Sequence, residues 1–330
     1  MKKPIYIFSD GNLKRKDNTI YFENEDGKKY VPVENTSQIY VFGEVNVNKR
    51  FLEFLTQSEI VLHFFNRYGY YAGTYYPREH LNSGYMILKQ AEYYLDFEKR
   101  LDLAKKIVEG ALKNIEQVVR YYQNRGKNVG RARKNLVILR KKIATCNRIE
   151  ELMAIEGNAR AYYYQSFDHI IEDPDFRFEK RSRRPPLNYL NTLISFGNSM
   201  LYTIILAEIY KTFLDPRIGF LHATNFRRFT LNLDVAEIFK AIIIDRVIFT
   251  LISRKMITAN AFKKEVRGIL LKDKAKQTFI SELEGKLAST LSHPTLGRNV
   301  SYRRLIRLEL YKLQKHFMAE KKYEAYVTRW

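Results

Sequence analysis

Six histidines and a single cysteine, Cys146, bound the chemistry open to this chain. A lone thiol makes no intrachain disulfide and no Cys-based zinc cluster, which leaves carboxylates and imidazoles as metal ligands. Three segments set such groups among apolar neighbours. In Met153-Ala-Ile-Glu156-Gly-Asn-Ala-Arg160 one acid sits in a helical run of small and apolar residues. The plain reading pairs Glu156 with Arg160 one helical turn on; the alternative makes it a ligand. In Gly219-Phe-Leu-His222, just after Asp215-Pro216, a solitary histidine is by default a core residue and otherwise a ligand. In Asp234-Val-Ala-Glu237 two acids stand three residues apart, so one helix face carries both. The run from Val235 to Leu251 is mostly apolar, so that face is buried. A buried acid pair needs a cation, either Arg, Lys or a metal, because an unpaired buried carboxylate is costly.

Hard carboxylates with one imidazole suit Mn²⁺ or Mg²⁺. Such an ion polarises a phosphodiester and orients an attacking hydroxyl. Basic residues stand beside each candidate segment: Arg160 one turn from Glu156, Arg183-Arg184 before Pro185-Pro186, and Arg227-Arg228 between His222 and Asp234. Singly these are ordinary surface charges; together they predict a DNA track along one face. The 57 Lys and Arg against 36 Asp and Glu, a net charge of +21, make nucleic acid the expected partner. Tyr162, Tyr163 and Tyr164 cannot share one helix face, so at most two approach DNA and the rest pack inside.

Positioning these residues requires elements that the patterning predicts. Short runs of β-formers lie at 5–8, 19–22, 30–33, 38–42 and 60–65, with turns at Gly11-Asn12, Asp26-Gly27 and Gly43. One helix is expected over 48–58, capped by Asn48. Past Pro77 the period becomes helical, over 81–95, 101–122 and 135–143. The expectation is an α+β chain: a small N-terminal β domain, 1–80, followed by a larger all-α domain, 81–330, carrying the site. A charged, proline-punctuated loop at 173–186 feeds an uncharged helix starting near Asn188, and the tail from 298 is cationic and helical. The uncharged stretch 185–207 is broken by asparagines and serines, which predicts burial in protein and no membrane span. The N-terminus lacks a signal-peptide apolar region, so the expected compartment is the cytoplasm. The β domain offers no catalytic set. Lys14 to Lys16 and Lys28-Lys29 read as strand-edge charges, His63 alternates with apolar neighbours, and His80, His169, His293 and His316 have no acid constellation.

Four collinear blocks resemble the CRISPR-associated integrase family, the larger subunit of the spacer-acquisition complex (CRISPR-associated protein one). They are Glu156-Gly-Asn-Ala-Arg160-Ala-Tyr-Tyr163; Arg184-Pro-Pro186 with Asn191-Thr-Leu-Ile-Ser-Phe-Gly197; Gly219-Phe-Leu-His222; and Leu233-Asp234-Val-Ala-Glu237-Ile-Phe-Lys240 with Asp245-Arg246. With the opening β region, the resemblance covers essentially the whole chain. It implies that Glu156, His222 and Glu237 are the catalytic Mg²⁺ or Mn²⁺ ligands, with Asp234 a supporting acid. The implied activity is DNA endonuclease and integrase, in which the 3′-OH of a short fragment attacks a phosphodiester at a CRISPR repeat. The resemblance also implies a homodimer formed through the β domain and a smaller second adaptation subunit bound by the helical domain. The family usually has proline where Ala241 stands. Two rival readings are a DNA-binding scaffold without enzymatic activity and a repair nuclease that cuts branched DNA without joining ends.

Overall fold

Strands come first along the chain, and their side-chain alternation decides what they bury. In a computed structural model that describes residues 2–78, 81, 83–224, 229–265, 268–293 and 296–329, the chain divides into two compact units, 1–82 and 83–330. Arg227 and Arg228, and His80, lie outside the described residues.

The first unit contains β1 (Lys3–Ile7), β2 (Gly11–Lys16), β3 (Thr19–Asn24), β4 (Gly27–Pro32), β5 (Thr36–Val41), β6 (Val45–Val47), α1 (Lys49–Gln57), β7 (Val61–Phe65) and β8 (Tyr71–Tyr75). One sheet runs β1-β5-β7-β8, parallel but for β8; the other runs β4-β3-β2-β6. Alternate residues of both sheets, among them Leu13, Ile20, Ile39, Val41 and Leu62, form one core with Phe51, Phe54 and Leu55 of α1. Asn48 caps α1 by accepting the Phe51 N–H at 2.9 Å, as expected. The β3–β4 hairpin turns just before Gly27, whose φ of +139° disfavours any side chain. Strand β2 departs from the expectation of a turn and edge charges at 11–16. Its one fully buried side chain, Leu13, is too little for a period-2 signal, while Lys14 and Lys16 are exposed and Arg15 lays its guanidinium over the Phe54 ring.

The second unit holds α2 (Gly84–Leu95), α3 (Phe97–Gln123), α4 (Gly130–Lys142), α5 (Ile149–Gln165), α6 (Phe167–Ile171), α7 (Tyr189–Ile209), α8 (Leu231–Lys240), α9 (Arg246–Ser253), α10 (Asp273–Ala288) and α11 (Tyr302–Phe317). It is not wholly helical. Two short hairpins, β9 (Phe262–Glu265) with β10 (Gly268–Leu271) and β11 (Thr290–His293) with β12 (Arg298–Ser301), sit between helices. Strands of four residues are too short to show an apolar alternation that announces them.

Helix α7 is the helix foreseen from the sequence, uncharged up to Glu208 in its last turn. Asn188 caps it through the Asn191 N–H at 2.8 Å, and nearly every side chain along it is buried. It is long and apolar enough to cross a membrane, yet it is packed within protein. A Cβ at Gly197 would lie 2.5 Å from Ile244 Cγ2 and 2.8 Å from Phe279, so glycine here sets how closely α7 meets its neighbours. Helix α8 continues without a break at Ala241 into a π turn, Ala241–Asp245, and then α9. Asn114 of α3 is fully buried and bonds across the unit: its Nδ2 donates to the carbonyls of Ile238 and Tyr326, both at 2.9 Å, and its Oδ1 accepts the Thr328 N–H at 2.8 Å. Helix α8 is thereby tied to α3 and to the C-terminal segment.

Candidate metal centre

Glu156, Arg160 and Tyr163 are spaced i, i+4, i+7, so they form one stripe of α5. On α8, Glu237 and Lys240 are spaced i, i+3. The two stripes meet through Arg160. Its Nε donates to Glu156 Oε1 at 3.0 Å, and its Nη2 donates to Glu237 Oε2 at 2.8 Å and to the Glu237 carbonyl at 3.1 Å. Lys240 donates to Glu237 Oε1 and lies 5.2 Å from the Tyr202 ring centroid. The ordinary i,i+4 pairing of Glu156 with Arg160 and the convergence of Glu156 with Glu237 are both present.

Asp234 does a different task from Glu237. Fully buried, it accepts the backbone N–H groups of Phe220, Leu221 and His222, the last two at 3.0 and 2.9 Å, and His222 Nδ1 at 2.8 Å. One carboxylate therefore folds the 220–222 loop and orients the imidazole on it. With Nδ1 so held, Nε2 is the ring nitrogen left for a ligand.

Electrostatics couples these groups. Burial, then the negative charge of Glu237, raises the Glu156 pKa, opposed by Arg160 and Lys240. Burial would raise Glu237 too, but Lys240, Arg160 and His222 hold its carboxyl well below the usual range. Burial pulls His222 down, and this is outweighed by its bond to Asp234 and by the charges of Asp234 and Glu237, so the ring is shifted up. Burial opposes the charge of Lys240, yet Glu237 keeps it raised.

Among the described residues no three Asp, Glu, His or Cys side chains already form a metal cage; cationic side chains bridge the acids instead. The donor set nevertheless fits a hard divalent ion. Two carboxylates close enough to repel, and an imidazole that feels the charge of one of them, would offer oxygen and nitrogen donors from α5, α8 and the loop between α7 and α8.

The expected DNA-facing arginines divide. Arg183 and Arg184 are exposed in the loop before α7. Arg160 is instead 7% exposed, with its guanidinium turned to the two acids. Arg181, not singled out from the sequence, is held by Asn191 Oδ1 and Ser195 Oγ of α7, each at 3.0 Å. The signal was there: polar residues one turn apart on an otherwise apolar helix, beside an arginine loop. Lys240 and Asp245 were also given no role. Of the three tyrosines, Tyr163 and Tyr164 are buried and Tyr162 reaches solvent.

Comparison with known proteins extends the geometry. Residues 5–285 match the family described as CRISPR associated protein Cas1. The chain is 60% identical over its full length to the CRISPR-associated endonuclease Cas1 2 of Thermodesulfovibrio yellowstonii, covering all of that protein. The structure of a Cas1 protein from Thermotoga maritima superposes with a TM-score of 0.89 at 49% identity, over 98% of this chain and 100% of that one. Two more distant structures share the fold. A casposase bound to integration product gives a TM-score of 0.88 at 19% identity, over 100% of this chain and 96% of that one. A Cas6-RT-Cas1–Cas2 complex gives 0.86 at 18% identity, over 100% of this chain and 36% of that one. A β-sheet unit followed by a helical unit, together with a family match over residues 5–285 and near-complete coverage of such relatives, establishes that this chain belongs to the CRISPR-associated Cas1 family.

Proposed function

We propose that the protein is a metal-dependent DNA endonuclease and strand transferase that inserts short DNA fragments into a CRISPR array. The observation that carries this reading is the bridge of Arg160 between Glu156, one turn before it on the same helix, and Glu237, 77 positions after it in sequence, beside an imidazole fixed by Asp234. Glu156, Glu237 and His222 Nε2 would hold the ion, Mg²⁺ or Mn²⁺. When bound, such an ion offsets charge at a phosphodiester and lowers the barrier to in-line attack by a hydroxyl. The chain's own part is positional. Asp234 holds Nδ1 and so leaves Nε2 for the ion, Lys240 and Arg160 keep Glu237 ionised, and Arg181, Arg183 and Arg184 present positive charge to the DNA backbone. A 3′-OH nucleophile gives integration, and water gives cleavage. The β unit is the homodimer contact in this reading, the helical unit receives a smaller second subunit, and the complex works in the cytoplasm. Relatives named as endonucleases and neighbours solved with integration product or with Cas2 support it.

One observation favours a second reading. The acids already have cationic partners, as a DNA-binding scaffold without enzymatic activity would require. The deciding experiment is strand transfer of a labelled short duplex into a repeat-bearing plasmid with Mn²⁺ or EDTA, comparing wild type with His222→Ala. Joined product that disappears with either treatment supports the integrase. Nicking without joining points to a repair nuclease. DNA binding without any metal-dependent product favours the scaffold.

A further inference from the structure

Arg160 has three guanidinium nitrogens, and only two are engaged with the acids. Its Nη1 is buried and has no hydrogen-bond partner among the described residues. Among the other buried polar atoms in that condition are both carboxylate oxygens of Asp245, which is 1% exposed, and the hydroxyl of Tyr163. These groups are neighbours. Asp245 and Arg160 act on each other electrostatically, and Tyr163 belongs to the α5 stripe that carries Arg160. Native interiors leave few polar groups unpaired, and a carboxylate is the most expensive to leave so.

The backbone places Asp245 here by a specific device. In an unbroken α-helix a residue eight positions after Glu237 would lie about 80° around the axis. The π turn over Ala241–Asp245 is wider, so each of its residues advances by less, and Asp245 swings back toward the face that carries Glu237. Such turns are frequent where a side chain must be aimed.

A divalent ion bound by Glu156 and Glu237 competes with Arg160 for the same oxygens. The displaced guanidinium is buried and needs an acceptor at once. We propose that Asp245 is that acceptor: a positioning residue that receives Arg160 when a divalent cation takes the two glutamates. Arg160 then stands in for the ion in its absence and stays in place beside the site in its presence. This inference rests on the metal-centre reading above and adds the route by which the centre admits its ion.

The test is a Mn²⁺ titration of the full-length protein by calorimetry, without DNA, in wild type, Asp245→Asn, Arg160→Met and the double variant, with Glu156→Ala and His222→Ala as controls. Asp245→Asn is expected to weaken Mn²⁺ binding by about tenfold, the scale of a lost supporting contact at a metal site. In the Arg160→Met background the same change is expected to have less than about a twofold effect, since the two residues act as one unit. Asp245→Glu keeps the acceptor and is expected to restore tight binding, which keeps the test valid if Asp245→Asn folds poorly. Unchanged affinity in Asp245→Asn, or an equal loss in both backgrounds, overturns the role of Asp245 while the centre stands. Mn²⁺ binding indifferent to Glu156→Ala and His222→Ala overturns the centre itself, and the inference with it.

Discussion

Asp234 grips His222 twice, through the backbone N–H at 2.9 Å and through ring Nδ1 at 2.8 Å. An amide in its place offers one acceptor oxygen where the carboxylate serves three backbone N–H groups and a ring. Asp234→Asn is therefore expected to lower stability by about 2–4 kcal/mol, because buried donors lose their partner. It should also slow Mn²⁺-dependent cleavage by at least about tenfold, as the imidazole loses its orientation. Urea unfolding and a nicking assay check both. A variant as stable and as active as wild type would refute the assignment.

Glu237 and Glu156 should separate in stability while agreeing in activity. Glu237→Ala strands Arg160 and Lys240 as buried cations, and in metal-free buffer it is expected to cost about 3–5 kcal/mol. Glu156 is partly exposed and is disfavoured as an anion first by burial and then by Glu237. Glu156→Ala should cost less metal-free stability than Glu237→Ala, because burial and Glu237 already disfavour its anion and Arg160 keeps its bonds to Glu237. Both should abolish metal-dependent cleavage. Equal destabilisation by the two would show that the acids share their cations differently from the arrangement described.

Asp245 gives the protein a pH-dependent weakness. Burial raises its carboxyl to about 7, against the partial relief supplied by Arg160, Tyr163, Lys240 and Arg181. The folded protein thus holds this proton where the unfolded chain has released it, and stability falls as pH climbs from about 4 to about 7. The full effect is on the order of 4 kcal/mol, one pKa unit being about 1.4 kcal/mol. Asp245→Asn removes it. Metal-free wild type and variant should unfold alike near pH 4, and the variant should gain on wild type up to pH 8. Parallel stability curves over that range would contradict the shift.

Gly197→Ala tests the close packing of α7. The new methyl meets Ile244 of the π turn and Phe279 of α10 well inside contact distance. Overpacking of this kind is expected to cost about 1–3 kcal/mol and to disturb the segment that aims Asp245. Thermal melting measures the first effect and Mn²⁺ affinity the second. A variant at wild-type stability would mean that α7 has slack where none is seen.

Much of this arrangement was legible before any coordinate. Asn48 announced its helix by cap chemistry, the proline-punctuated loop before Asn188 announced the next, and the i, i+3 spacing of Asp234 and Glu237 put both acids on one buried helix. Local rules suffice for such features because their partners lie within a turn. The division of labour between those two acids was not legible, since it depends on a loop twelve residues upstream folding its N–H groups onto Asp234. Arg160 looked like a DNA contact because an i,i+4 ion pair is normally a solvated one; its burial comes from α8, which sequence spacing does not reveal. Asp245 was hidden for a stricter reason. Its direction depends on a π turn, and no residue type marks where a helix will widen.

The Asn114 side chain also imposes an order of assembly. Helix α8 receives one of its ties through Ile238, by a side chain that is satisfied only when Tyr326 and Thr328 have arrived beside it. A ribosome delivers residue 114 long before residue 326, and domains fold progressively as the chain emerges. Until the final stretch is released, Asn114 keeps two of its three bonds unmade and α8 lacks its brace. The acids of the site are therefore synthesised early but locked late, and a nascent chain carries every candidate ligand without yet having the finished centre.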